Sequence, residues 1–296
     1  MTRIAHVLTL SCTDRPGLVA TISGQLFEGG GNILEAQQFD DVETGRFFMR
    51  ILFDCPADAY AAIQERIAET AARFEMDWKL RARDQRTRVL LLVSRMDHCL
   101  GDLLYRTRIG ELPMDVVGIV SNHPRETLNV SLIGNIPFHH LPITGETKPQ
   151  QEAQIKALVD ETGAELVVLA RYMQILSDEM CQKMSGRIIN IHHSFLPSFK
   201  GANPYKQAYG RGVKLIGATA HYVTADLDEG PIIEQDTARI THAQSPDDYV
   251  SIGRDVESQV LARAIHAHIH HRTFINGNRT VVFPASPGSY ASERMG

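Results

Sequence analysis

The sequence predicts a two-domain α/β protein: a ferredoxin-like βαββαβ unit, then an open, mostly parallel α/β domain of Rossmann-like architecture. Three observations predict it. A chain of 296 residues exceeds what one core of average size needs. Its first part carries short strand and helix signals in the order βαββαβ, whereas the remainder carries continuous apolar runs, the mark of parallel strands covered on both faces. Between them lies a charged stretch, Arg81-Ala82-Arg83-Asp84-Gln85-Arg86-Thr87, with little to bury. The division is therefore 1–83, a linker at 84–87, a second domain at 88–284, and a tail at 285–296 whose Ser, Pro and Gly predict loose order.

In chain order, Ile4 to Ser11 alternates imperfectly between apolar and polar side chains, as a partly buried strand does. Asp14-Arg15-Pro16-Gly17 makes a turn. Leu18, Val19, Ile22 and Leu26 then fall at helical spacing, and Gly29-Gly30-Gly31 stops that helix by permitting positive φ. This glycine run follows a helix rather than a strand and lacks a dinucleotide fingerprint, so no Rossmann cofactor is expected. Asn32 to Asp41 and Arg46 to Phe53 read as strands joined in a hairpin by Val42-Glu43-Thr44-Gly45. A helix from Ala57 to Phe74 and a strand near Trp78 to Leu80 complete the unit, with both helices on one face of a small antiparallel sheet. Beyond the linker, Val89 to Val93, Val116 to Val120 and Leu166 to Ala170 are the apolar strands, and Ala153 to Thr162 is one of the helices between them. Ligands of such a sheet sit beyond the carboxyl ends of its strands.

A formal net charge of -5, with 35 acidic and 30 basic residues and no basic run, argues against nucleic acid. The start of the chain lacks the apolar stretch of a signal peptide, and no run approaches a membrane span, so the expected compartment is the cytoplasm. Cys12, Cys55, Cys99 and Cys181 lie far apart without a Cys-x-x-Cys pair, which argues for reduced, mostly structural thiols.

The chemistry concentrates after Ile188-Ile189-Asn190-Ile191-His192, a strand running into the irregular loop His193 to Pro204. Strand positions i and i+2 share a face, so Asn190 and His192 can aim two donors at one substrate atom, an arrangement that suits an oxyanion. Gly217 to Val223 reads as a further strand, ending at Asp226-Leu227-Asp228-Glu229-Gly230-Pro231, a tight turn that presents a carboxylate. Taken alone, Asn190 and His192 read more readily as structural polar residues, and Met173, Ile175 and Leu176 as core. A metal held by His192, His193 and His221 is disfavoured, because adjacent strand residues face opposite ways and no His-Glu-x-x-His pair exists. His266, His268, His270 and His271 end a helical pattern that starts at Asp247, where imidazoles can face the helix carboxyl terminus, and they carry no assigned chemistry.

Asn190-Ile191-His192, Ser194-Phe195-Leu196-Pro197 and Leu227-Asp228-Glu229-Gly230-Pro231 together resemble the signature of the folate-dependent formyltransferase family, over roughly residues 88 to 283. Leu169 to Leu176 resembles that family's folate-contacting segment, and residues 1–83, with Asp14-Arg15-Pro16-Gly17-Leu18, resemble an ACT domain. The fusion is similar to the arrangement in formyltetrahydrofolate deformylases. The resemblance implies that Asn190 and His192 stabilise a tetrahedral oxyanion while Asp228 handles protons. It implies folate contacts from Arg171, Met173, Ile175 and Leu176, with His221 orienting the catalytic group or substrate. The implied reaction is hydrolysis of 10-formyltetrahydrofolate to formate and tetrahydrofolate, with no metal or redox cofactor, and the formate supplies a step such as one in purine synthesis. For the ACT unit it implies an amino-acid effector, glycine or methionine, held by Asp14, Arg15, Pro16, Gly17 and Asn32, and a homo-oligomer, dimer or tetramer.

Family members that formylate a ribosyl phosphate carry a glycine-rich phosphate loop at the first strand-to-helix turn of this domain. Here the turn reads Ser94-Arg95-Met96-Asp97-His98-Cys99-Leu100-Gly101, with Asp97 expected as a helix N-cap that repels phosphate. Water is then the natural acceptor. The rival readings are a transferase acting on another amine, and a non-catalytic sensor of folate and amino acid.

Overall fold

The structure, a computed structural model, describes residues 2–196 and 204–285. The end of the loop read from the sequence, from Pro197 to Asn203, and the tail from Ser286 onward lie outside the described residues. The chain divides into two compact units, Met1–Gln85 and Arg86–Gly296.

The first unit runs β1 (Arg3–Thr13), α1 (Leu18–Glu28), β2 (Asn32–Asp41), β3 (Arg46–Pro56), α2 (Tyr60–Phe74) and β4 (Asp77–Ala82). Its sheet is antiparallel in the order β2-β3-β1-β4. Leu8, Leu10 and Cys12 of β1 and Phe47, Met49, Ile51 and Phe53 of β3 point to one side, where Leu18, Ile22 and Leu26 of α1 and Ile63, Ile67 and Ala71 of α2 close the core. Period two on the strands and period three to four on the helices are thus satisfied by a single apolar layer. β1 extends past the alternating segment at both ends, because it is central and finds hydrogen-bonding strands on both sides. The second helix, expected from Ala57, opens instead as a 3-10 turn over Ala57–Ala59.

The second unit runs β5 (Thr87–Val93), α3 (His98–Arg108), β6 (Met114–Ser121), β7 (Phe138–His140), α4 (Lys148–Thr162), β8 (Leu166–Leu169), α5 (Asp178–Lys183), β9 (Ile188–His192), α6 (Pro204–Arg211), β10 (Leu215–Tyr222), β11 (Ile232–Arg239), α7 (Pro246–Ile269), β12 (Thr273–Asn276) and β13 (Arg279–Val282). Thr87, given to the linker by its polar neighbours, is buried and opens β5 opposite Met114. The main sheet has the order β11-β10-β9-β8-β5-β6-β7. The strands from β9 to β7 are parallel, while β10 and β11 run antiparallel at one edge. Val89, Leu91 and Val93 pack into one core with α3 and α7, and Leu90 and Leu92 into another with α4 and α5. Burial on both faces explains the unbroken apolar run.

Two features of this unit position the site. The chain leaves β5 toward β6 and β7 on one side and returns to β8 and β9 on the other, so a topological switch point opens beyond the carboxyl ends of β5 and β8. Helix α7 is held by a capping box, in which Ser245 Oγ accepts from the Asp248 amide and the Asp248 carboxylate accepts from the Ser245 amide. Its buried face, including Val256, Glu257, Val260 and Leu261, lies against the sheet.

Candidate active site

Strand β9 delivers Asn190 and His192 to one face, and the antiparallel pairing of β10 puts His221 opposite Asn190 and Thr219 opposite His192. His221 Nδ1 lies 2.9 Å from the Tyr222 carbonyl oxygen, which can only accept, so Nδ1 carries the proton. His221 Nε2 is then the lone-pair nitrogen and accepts one Asn190 amide hydrogen over 3.3 Å. The second amide hydrogen of Asn190 is not used by this bond. Burial lowers the His221 pKa from its ordinary value, in keeping with a neutral ring.

His192 Nδ1 faces Asp228 Oδ1 at 3.3 Å, and His192 Nε2 is buried with no hydrogen-bond partner among the described residues. Asp228 Oδ1 also lies 3.8 Å from His221 Nε2. The hydrogen bond with His192 outweighs burial and holds the Asp228 carboxyl below its ordinary range. An ionised Asp228 thus keeps a proton on Nδ1 of His192, so that Nε2 is the atom turned toward a substrate. The turn that carries Asp228 doubles back on β10: the Tyr222 amide donates to Pro231 O over 2.9 Å, and Asp228 takes a left-handed φ of 57°. Gly230 is required there by space, since a Cβ would stand 1.7 Å from the Tyr222 carbonyl oxygen, the same atom that holds His221. Thr219 pins the loop after β9, accepting from the Leu196 amide and donating to Ser194 O.

These groups open into a cavity of about 670 Å³, ample for a small-molecule ligand. The segment after β8 forms another wall. Met173 and Ile175 are exposed at 55% and 60% and line the cavity as an apolar platform, while Leu176 is buried behind them. The platform is tied to the end of β5, because the Met173 amide donates to Ser94 Oγ over 3.0 Å and the Ser94 amide to Arg171 O over 3.2 Å. Arg171 differs from its neighbours. It adopts φ 64°, and its side chain turns inward to Glu257, whose Oε2 lies 3.3 Å from Arg171 Nε. His98 Nε2 meets the same carboxylate oxygen at 2.8 Å, and the Tyr205 hydroxyl donates to Oε1. Burial alone raises the Glu257 pKa, but His98, Arg171 and Tyr205 together bring it below the ordinary value.

Sequence reasoning missed Glu257, Tyr205 and the role of His98. A carboxylate on the apolar stripe of α7, between Val256 and Val260, was the available signal. Other expectations change. Asp97 stands at the N-cap position of α3 but makes no capping bond; its carboxylate instead accepts from the Asn129 amide over 2.5 Å, tying down a neighbouring loop. Burial first, and then the charge of Arg272, pushes the pKa of His266 down to about 4. His193 likewise falls to about 4, through burial first and then the charges of Arg171 and His192. His98, Cys99 and Glu257 bring potential metal-ligand atoms within 4.8 Å of one another. A cation there would have to compete with the Arg171 guanidinium and ionise a thiol that burial holds far up its range. All four cysteines are buried and unbridged.

The expected effector residues are not brought together within one chain. Asp14 to Gly17 are exposed at the end of β1, beside Gly45. Asn32 opens β2 opposite Asp54, which pairs with Ala5 at the start of β1. At about 3.3 Å per residue the two places are roughly 30 Å apart.

A carboxylate-held imidazole beside an anchored amide, at the ends of strands in an α/β sheet, has the donors and the base that an enzyme attacking a carbonyl carbon requires. Residues 87–265 match the formyl transferase family and residues 6–81 match the ACT domain. A formyltetrahydrofolate deformylase from Corynebacterium sp. (strain P-1) is 51% identical, with 95% of this chain and 98% of that protein covered. The crystal structure of a formyltetrahydrofolate deformylase from Burkholderia mallei superposes with a TM-score of 0.90 at 51% identity, covering 95% of this chain and all of the other. A phosphoribosylglycinamide formyltransferase from Anaplasma phagocytophilum matches the fold more distantly, with a TM-score of 0.62 and 27% identity over 68% of this chain and 97% of its own. The chain belongs to the formyltetrahydrofolate deformylase family.

Proposed function

We propose that this chain hydrolyses 10-formyltetrahydrofolate to formate and tetrahydrofolate, with Asn190, His192 and Asp228 as its catalytic group. The observation that carries this reading is the buried, unpartnered Nε2 of His192, held in place by Asp228 behind it and opening into the cavity beside Asn190. Water attacks the formyl carbon; its oxygen bonds to that carbon as the carbonyl oxygen becomes an oxyanion. The free amide hydrogen of Asn190 and His192 Nε2–H stabilise this charge, and one such donor is worth about 3 kcal/mol of barrier. The carbon–N10 bond then breaks, N10 takes the proton first lost by water, and the formic acid released gives its remaining proton to solvent and leaves as formate. Asp228, with His192, accepts the proton of water and returns it toward N10. His221 is a positioning residue that fixes the Asn190 amide. Met173 and Ile175 bear the pterin, with Leu176 behind them. Folate is the substrate and no metal or redox cofactor takes part.

The same reading gives the ACT unit an amino-acid effector, glycine or methionine. Because Asn32 lies so far from the Asp14–Gly17 turn, an effector touching both has to sit between two chains, which ties regulation to a homo-oligomer, dimer or tetramer. The two units act as separate domains joined near residues 84–87. The compartment is the cytoplasm, where the formate serves purine synthesis. No helix among the described residues is long and apolar enough to cross a membrane.

Formate release from 10-formyltetrahydrofolate without any acceptor tests the function. Steady release, unchanged by added amines, is the expected result. Folded protein that binds the folate but releases no formate overturns it.

A further inference from the structure

In an open α/β sheet the crevice at the switch point is where a ligand belongs, and in this chain protein side chains already occupy part of it. Arg171 comes from the end of β8, His98 opens α3 after β5, Glu257 comes from α7 and Tyr205 from α6. Arg171, Glu257 and Tyr205 line the same cavity as Asn190, His192 and Asp228. The Glu257 and Arg171 side chains are only 1% and 9% exposed.

The arrangement is built for this closeness. Gly253 lies one turn before Glu257 on α7, where a Cβ would stand 2.2 Å from the Tyr205 ring, so only glycine lets that ring lie on the helix and reach the carboxylate. Arg171 holds a left-handed backbone that L side chains rarely adopt, the kind of strain retained at functional sites. The charges cancel. A phosphate approaching the start of α3 meets the carboxylates of Glu257 and Asp97, and an ammonium meets a guanidinium. Arg171 Nη1 nevertheless remains a buried donor without a hydrogen-bond partner among the described residues.

We propose that the Arg171–Glu257 pair, locked by His98 and Tyr205, occupies the space of an amine acceptor and is the specificity-determining element that leaves water as the only nucleophile able to reach the formyl carbon. This rests on the hydrolytic reading above. A relative of the same fold is a phosphoribosylglycinamide formyltransferase, so the fold itself does not bar an amine. With the pair removed, a primary amine attacks in place of water: its nitrogen bonds to the formyl carbon, the carbon–N10 bond breaks, the amine loses a proton and N10 gains one.

Removing one member would leave the other as an uncompensated buried charge, whereas removing both together is far milder. The variant of choice is therefore Arg171→Gly with Glu257→Ala, glycine also suiting φ 64°. Wild type and double variant are given 10-formyltetrahydrofolate with glycinamide, and formate and N-formylglycinamide are both counted. The expected result is enzyme-dependent N-formylglycinamide as about one tenth or more of product from the variant, and tenfold less or none from wild type. A double variant that folds and releases formate with the wild-type product ratio overturns the proposal. If it does not fold, Glu257→Gln decides. This amide keeps the volume and leaves the Arg171 charge unbalanced, so added formate should inhibit about tenfold more strongly than in wild type. Unchanged inhibition overturns the proposal. Wild type that releases no formate at all fails the hydrolytic reading, and this inference with it.

Discussion

Replacing Asp228 by asparagine keeps the shape of the side chain and removes its charge. The lost contact is that of Oδ1 with His192 Nδ1 at 3.3 Å, on a side chain that is 18% exposed. At an effective dielectric of about 20, unit charges about 3.5 Å apart interact by roughly 5 kcal/mol, and only the part that grows in the transition state counts toward rate. About 3 to 4 kcal/mol of that is a loss of roughly 100- to 1,000-fold in kcat. The amide also offers N–H where the carboxylate only accepted, so it can reverse the His192 tautomer. KM should change by less than about threefold, because Asp228 does not belong to the apolar platform at Met173 and Ile175. The assay is steady-state formate release without acceptor, read by coupling to formate oxidation. In the wild type the contribution of this carboxylate is present above its ordinary value of 3.8 and is lost as pH falls through its lowered folded value. A loss of kcat under about tenfold, or an effect mainly on KM, would refute the reasoning.

Gly230→Ala forces the Tyr222 carbonyl away from a Cβ placed 1.7 Å from it, so it should destabilise the fold by about 1 to 3 kcal/mol and depress kcat as His221 loses its anchor; unchanged melting and activity would show that the turn relaxes freely. His221→Phe keeps a ring but frees the Asn190 amide, and kcat should fall about tenfold at constant KM. A rise in KM alone would instead make His221 a folate contact. Met173→Ala with Ile175→Ala should raise KM about tenfold with little change in kcat, checked by the same assay. His193 and His266 have folded values of about 4 and His221 is also lowered, so below pH 6.5 the unfolded chain binds more protons than the folded one. Stability should therefore rise with pH between about 4 and 6.5, and the melting temperature should fall on acidification through that window. His266→Phe should blunt the fall, and a flat profile in the wild type would contradict the assigned burial.

Local pattern carried most of the architecture. The period-two strands and amphipathic helices of the first unit, and the doubly buried runs of the second, come from side-chain alternation alone, and the structure departs from them mainly at element ends. Ends depend on neighbours. β1 outruns its alternating segment because β3 and β4 both pair with it, and Thr87 joins β5 because Met114 lies opposite. The motifs around Asn190, His192 and Asp228 were equally legible, since a strand sets two of them on one face and a turn exposes the third.

What the sequence determined by itself was thus the order of elements in the first unit, the apolar strands of the second, the change of texture at the linker, and the motifs that hold Asn190, His192 and Asp228. Only the tertiary structure decided which atoms face each other. It gave Arg171, which lines the cavity, a buried partner in a glutamate 86 positions later, and gave that glutamate His98 and Tyr205 as further company. It also placed Asn32 and the Asp14 turn at opposite ends of one sheet. The physical reason is that hydrophobic periodicity is a property of adjacent residues, whereas a buried charge is tolerated only if its compensating groups arrive from distant strands and helices, and no local pattern encodes that meeting.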